Sequence, residues 1–227
     1  MVTITAKPLD LTKYRTIVFD CDGVLLDSNK LKTEAFREVA KPFGESVAEE
    51  LVKFHLKNAG ASRYKKFAYL LEEILGVRPS KEIVDELSRE FSSRIWEGLL
   101  SCSISSGLSK LRAETIRSRW MVLSGSDQIE LRRLLCLRGV EGFFDAGIFG
   151  SPETKDEIIE RLRLNGDILE PTLFLGDSRY DHEVAVRNGF EFIFVSDWSE
   201  FSEWAYYVAE QRLLVINSLN CLTETAE

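Results

Sequence analysis

Five short apolar runs punctuate the chain, at Thr16–Phe19, Trp120–Leu123, Ala146–Phe149, Thr172–Leu175 and Phe192–Val195. Each is too short for a buried helix, and most are followed at once by Asp, Ser or Gly. Parallel strands buried on both faces read this way, with loops opening at their carboxyl ends. Helical periodicity fills the later gaps. Ile129–Leu137 is one such segment, and Thr154–Leu164 is another, opened by Thr154 and Glu157 at capping-box spacing. Alternating strands and helices predict an α/β fold, a Rossmann-like doubly wound parallel sheet.

The stretch from Ser28 to Ser106 breaks the alternation. Its apolar positions fall into three helical stripes, marked by Leu31, Ala35 and Val39, by Phe67, Leu71 and Ile74, and by Leu87, Phe91 and Ile95. Gly44, Gly60 and Gly76-Val77-Arg78-Pro79 supply the breaks between them. The pattern predicts an all-helical domain inserted at residues 28–106, with residues 1–27 and 107–227 forming the α/β core. Ser101–Gly107, rich in Ser and ending in Gly, suits a hinge. Near the other end, Leu213–Ile216 reads as a further edge strand, and the aromatic-rich stretch Trp198–Tyr207 as packing against the core.

Composition narrows the function classes. The 227 residues carry 29 basic and 37 acidic side chains, a net charge of -8, which weighs against a nucleic-acid partner because phosphate backbones are held by basic patches. No apolar stretch approaches a membrane span, and Met1–Leu11 lacks the apolar run of a signal peptide. Cys21, Cys102, Cys136 and Cys221 show neither paired nor metal-ligand spacing, as expected of reduced thiols in a cytoplasmic protein.

Chemistry is concentrated where the first strand ends. Ile17-Val18-Phe19-Asp20-Cys21-Asp22-Gly23 brings two carboxylates to the carboxyl end of an apolar strand, the place where α/β sheets bind ligands. Side-chain alternation puts Asp20 and Asp22 on one side, with Cys21 pointing away. Two carboxylates so close repel each other, and a hard divalent cation such as magnesium would relieve the cost. Three further strand ends carry polar groups. Ser124 and Gly125 follow Val122-Leu123, where a hydroxyl and helix N–H groups can meet an anion. Lys155 stands at a helix start, where a cation is disfavoured by the helix dipole and so hints at a task. Phe174-Leu175-Gly176-Asp177-Ser178-Arg179-Tyr180-Asp181 sets two acids four apart at a strand-to-helix junction.

These four motifs, in this order, resemble those of the haloacid dehalogenase superfamily, in particular its capped phosphatases, the group of phosphoglycolate phosphatase and beta-phosphoglucomutase. The superfamily's phosphatases carry Asp-x-Asp, which is Asp20-Cys21-Asp22 here, and their C1-type caps sit where residues 28–106 are inserted. The resemblance implies that Asp20 attacks phosphorus and forms an aspartyl-phosphate, and that Asp22 serves as acid and then base. It implies magnesium held by Asp20, Asp177 and the Asp22 carbonyl, phosphate oxygens held by Ser124, Gly125 and Lys155, and Asp181 orienting Lys155 or a metal-bound water. The expected substrate is a small phosphate monoester, a sugar or sugar-acid phosphate, and the expected assembly a monomer or homodimer. A phosphosugar mutase of the same fold, or a non-catalytic binding protein, is the alternative.

Within the predicted cap, Asn58-Ala59-Gly60-Ala61-Ser62-Arg63-Tyr64-Lys65-Lys66 gathers three cations after a glycine turn, with Ser62 placed to cap a helix. Arg63 is the candidate substrate contact there, while Lys65 and Lys66 are expected to be solvated. His55 and His182 are expected to be helix residues rather than ligands.

Overall fold

The computed structural model describes residues 9–223. The six strands among these residues are all parallel and lie in one sheet. They are β1 (Thr16–Phe19), β2 (Arg119–Asp127), β3 (Gly147–Ser151), β4 (Thr172–Gly176), β5 (Glu191–Val195) and β6 (Leu214–Ile216), in the spatial order β3-β2-β1-β4-β5-β6. The chain builds outward from β1 to β3, returns to the other side of β1 with β4, and builds outward again. The turning point lies between β1 and β4, where doubly wound sheets open a crevice at the strand carboxyl ends.

Why these runs are strands is visible in how they divide the core. Along β1, Ile17 and Phe19 join a hydrophobic cluster with Trp120, Val122, Leu173 and Leu175, while Val18 joins Met121, Leu123 and Phe174 on the opposite face. Every second residue thus belongs to a different layer, as a two-sided sheet requires. The first face is covered by α5 (Leu108–Glu114) and α6 (Gln128–Leu137), through Leu111, Leu131 and Leu135. The second is covered by α7 (Lys155–Leu164) and α8 (Arg179–Arg187), through Ile158, Ile159 and Val184. Trp120, fully buried, satisfies its indole N–H on Thr115 Oγ1 at 3.0 Å. The aromatic-rich tail forms α9 (Trp204–Gln211), whose Val208 packs on Phe194 and Val215.

Between β1 and α5 come four helices: α1 (Asn29–Ala40), α2 (Glu45–Lys57), α3 (Arg63–Tyr69), which continues in a wider turn over Leu70–Ile74, and α4 (Lys81–Ser101). Phe36, Phe67 and Phe91, one from each of α1, α3 and α4, meet with ring centroids 4.4–6.1 Å apart at the centre of this group. The chain leaves and re-enters the sheet region along adjoining segments. Asp27 N donates to Ser103 O at 3.0 Å and Ser105 N to Leu25 O at 2.8 Å. Among the described residues no helix is long and apolar enough to cross a membrane.

Candidate active site

The carboxyl edge of the sheet gathers the polar residues of all four motifs. Asp20 follows the last residue of β1 and is fixed to β4 by its own N–H, which donates to Leu175 O at 2.9 Å. Gly23 then turns the chain with φ of +78°. A Cβ there would lie 2.1 Å from Asp177 Oδ2, so the missing side chain is what lets Asp177 approach.

Asp20, Asp177 and Asp181 are all buried, with carboxylate oxygens within 4.8 Å of one another. Lys155, itself 2% exposed, donates to Asp20 Oδ1 at 2.9 Å and to Asp181 Oδ1 at 2.5 Å. Asp181 Oδ2 accepts from the Ser178 hydroxyl and N–H, closing a capping box at the start of α8. Both oxygens of Asp181 are therefore engaged, and it positions the lysine. By contrast Asp20 Oδ2 and Asp177 Oδ1 accept no hydrogen bond from the described residues. Asp177 Oδ2 takes one from Asn29 at 2.7 Å.

One ammonium among three buried carboxylates leaves the cluster short of positive charge. Burial, with Asp181 and Asp22 adding to it, raises Asp20 to about 7 in spite of Lys155. Burial and the neighbouring Asp20 raise Asp177 well above the carboxylate range. Burial works against the charge of Lys155, but Asp181 and Asp20 outweigh it and raise its pKa, so the ammonium stays charged. The two unengaged oxygens, on hard carboxylates pushed toward their neutral form, fit a divalent cation such as magnesium.

Asp22 lies on the other side. Its carboxylate pairs with the Lys32 ammonium and accepts from Ser28 Oγ at 2.6 Å and Ser126 Oγ at 3.0 Å, with Ser124 Oγ at 3.5 Å. Burial alone would raise its pKa; Lys32 and the hydroxyls overcome that and hold it below the ordinary value. Ser28 occupies the N-cap of α1 without capping it, because its hydroxyl is turned to Asp22. Ser124 sits where the β2–β3 register shifts between Leu123 and Asp127, which releases 124–126 from the ladder. Its hydroxyl accepts from Ser126 N at 3.1 Å.

The helical insertion closes over this edge. Gly60, in a turn with φ of +82°, presses its carbonyl on Gly125, where a Cβ would stand only 2.2 Å from the oxygen. Tyr64 donates to Asp127 Oδ2 at 2.9 Å, and Arg63 pairs with Glu130 at 2.7 Å. A cavity remains between the two parts, lined by Asp20, Asp22 and Asp177 below and by Phe36, Arg63 and Lys66 above.

The residues nominated from the sequence therefore converge, with one correction. Lys65 is exposed, but Lys66 is not solvated: it is 3% exposed and faces the cavity. A basic run on an otherwise acidic chain reads as surface, yet α3 turns Lys66 inward, with its ammonium over the ring of Phe36 from α1. Arg63 lines the cavity, though its charge is already met by Glu130. Lys32, Asn29, Ser28 and Ser126 were not nominated. Nothing in local spacing marks them, except that Ser28 and Asn29 stand at the helix start directly after the first motif. His55 and His182 lie in α2 and α8, and His182 Nδ1 meets Tyr207 Oη at 2.7 Å.

Known proteins are similar to this chain in sequence and in fold. A phosphorylated carbohydrates phosphatase of Thermotoga maritima is 28% identical over 188 residues, covering 78% of this chain and 83% of that protein. A haloacid dehalogenase-like family hydrolase of Streptococcus pneumoniae superposes with a TM-score of 0.65 at 21% identity, over 93% of this chain and 98% of its own. CbbY of Rhodobacter sphaeroides, solved with phosphate, does so with 0.66 at 18%, over 93% and 96%. Residues 14–189 match the model of haloacid dehalogenase-like hydrolases, a span running from the strand that bears Asp20 past the helix that bears Asp181. The chain belongs to that family.

Proposed function

We propose that the protein is a magnesium-dependent phosphatase that hydrolyses a small phosphorylated sugar or sugar acid through an aspartyl-phosphate on Asp20. The observation that carries this is the setting of Asp20: it is buried directly after β1, lines the cavity, and has one oxygen held by Lys155. A carboxylate so fixed is an oriented nucleophile. The Thermotoga relative's substrates support a carbohydrate phosphate.

In this reading Asp20 attacks phosphorus in line with the leaving oxygen. Lys155 neutralises charge on Asp20 and on the transferring oxygens, and Asp181 keeps the ammonium aimed. Ser124 and the N–H groups after it offer donors to the same oxygens. Asp22, held ionised by Lys32, is ready to take the proton of the water that hydrolyses the phosphoenzyme. In the first half Asp22 passes a proton from the Lys32 ammonium it faces to the leaving alcohol, and the proton later taken from water restores Lys32. Asp20, Asp177 and the Asp22 carbonyl would hold magnesium, which supplies charge neutralisation between the carboxylates and an anionic phosphate. The helical insertion acts as a lid that excludes water while the phosphoryl group moves, with Arg63 contacting the substrate beneath it.

The test is release of inorganic phosphate from a panel of phosphorylated sugars and sugar acids, with magnesium and with chelator, for wild type and Asp20→Asn. Release that requires magnesium and disappears in the variant is expected. Conversion to an isomeric sugar phosphate, with no net phosphate released, would replace hydrolysis with a mutase reaction.

A further inference from the structure

Three cations line the cavity, and two already face carboxylates: Lys32 pairs with Asp22, and Arg63 with Glu130. Lys66 does not. Among the described residues it forms no ion pair, and its one hydrogen-bond partner is a neutral ring nitrogen, His55 Nδ1, at 2.9 Å. Its ammonium also lies 5.2 Å from the centre of the Phe36 ring.

The protons along this contact can be assigned. Thr33 Oγ1 donates to Glu200 Oε2 at 2.5 Å, so it accepts from His55 Nε2–H at 3.0 Å. The lone pair of His55 then lies on Nδ1, where Lys66 donates. Burial, reinforced by Lys66, pushes the His55 pKa well below its ordinary value and keeps the ring neutral. The chain Glu200–Thr33–His55 therefore orients Lys66 without neutralising it. One N–H of the ammonium is used, and two remain beside the cavity.

A buried cation without a counter-ion is costly, and the face of the Phe36 ring compensates it only in part. Burial accordingly draws its pKa down to about 7. An anionic group entering the cavity would supply the missing partner.

We infer that Lys66, oriented by His55, recognises a second anionic group, a carboxylate or a phosphate, on the alcohol portion of the substrate. The inference rests on the phosphatase reading and narrows it. The preferred substrates are phosphorylated sugar acids or sugar bisphosphates, and neutral sugar monophosphates bind less well. Arg63 contributes shape and hydrogen bonds to this recognition, since Glu130 meets its charge, whereas Lys66 contributes the net charge.

The test is equilibrium binding by calorimetry, which does not depend on turnover. Two matched pairs are titrated with magnesium present: 6-phosphogluconate against glucose 6-phosphate, and fructose 1,6-bisphosphate against fructose 6-phosphate. The proteins are Asp20→Asn alone and Asp20→Asn combined with Lys66→Met or Lys66→Arg. Expected is at least tenfold tighter binding of the doubly anionic member of one pair, lost with Lys66→Met and kept in part with Lys66→Arg. The pair that shows it names the anionic group. Equal affinity within both pairs, a preference that survives Lys66→Met, or binding of none of the four overturns the inference. Phosphate release by the wild type is scored separately, so a binding preference without release would refute the phosphatase while leaving the role of Lys66 standing.

Discussion

Lys155 Nζ lies 2.9 Å from Asp20 Oδ1, and both side chains are almost completely buried. The same ammonium reaches Asp181 at 2.5 Å, so one cation ties the carboxylate after β1 to one in the first turn of α8. Removing one partner of a buried ion pair costs about 3–5 kcal/mol, because the charge left behind has neither water nor partner. Lys155→Met should therefore lower the unfolding free energy by about that much in chelator. It should also reduce phosphate release by roughly a hundredfold or more, as loss of a donor to a developing oxyanion does. Denaturant midpoints and initial rates check the two effects; an unchanged midpoint would show that Asp20 and Asp181 are not charged neighbours.

The acidic cluster should make stability depend jointly on pH and on divalent cation. Asp20 is raised to about 7 and Asp177 well above the carboxylate range, both from an ordinary value of 3.8. Groups raised in the folded state bind more protons there than in the unfolded chain, so without cation their contribution is fully present below about 4 and falls as pH rises toward 7. Bound magnesium would replace those protons. Thermal unfolding between pH 5 and 8 should show a cation-induced rise in midpoint that grows with pH. In Asp177→Asn the rise should largely vanish.

Closure of the helical insertion depends on a glycine on each side. At Gly125 even a methyl group would stand 2.2 Å from the Gly60 carbonyl. Gly125→Ala should therefore hold the insertion away from the sheet edge and lower kcat/KM by about tenfold or more, since small displacements at a reacting centre are expensive. Its backbone does not require a positive φ, so the unfolding midpoint should change little. A large fall in midpoint would instead mark Gly125 as a packing residue.

Lys66 should act against stability. Its pKa of about 7 lies below the ordinary 10.5 because burial disfavours the charge, with Lys32 adding repulsion, Asp22 and Asp20 opposing it, and Arg63 repelling more weakly. The unfolded chain then binds more protons between these values, so this group's penalty is complete below pH 7 and disappears as pH rises toward 10.5. Lys66→Met should stabilise the protein at pH 6–7, by about 1–4 kcal/mol, as apolar replacement of buried charge often does. The gain should shrink by pH 9–10. A destabilised variant at pH 6 would indicate an ammonium better compensated than His55 alone allows.

The four motifs lay open in the sequence because each is local. A buried strand, a polar residue directly after it and a helix start within a few positions leave a trace that needs no long-range information; Asp20, Lys155 and Asp177 sit at such junctions, and Ser124 where β2 breaks its register with β3. The edge strand at Leu214–Ile216 and the capping box of Thr154 and Glu157 were legible for the same reason. Helical stripes likewise foretold α1, α3 and α4, whose Phe36, Phe67 and Phe91 form one apolar centre.

Tertiary structure decided which charges meet. Asp22 and Lys32 are ten residues apart, Arg63 and Glu130 sixty-seven, and no periodicity encodes either pair. Lys65 and Lys66 are the same residue type in adjacent positions, yet one is exposed and the other buried beside His55. Composition and helical spacing describe a face of α3, but only the packing of α1, α2 and α4 around it determines whether that face meets water. Local sequence therefore determined which polar group follows each strand, while the parallel pairing of β1 with β2 and β4, and of β2 with β3, brings those groups to one edge. The environment of the cations above it arises from contacts between distant segments, whose burial and pairing exist only once the helices have packed.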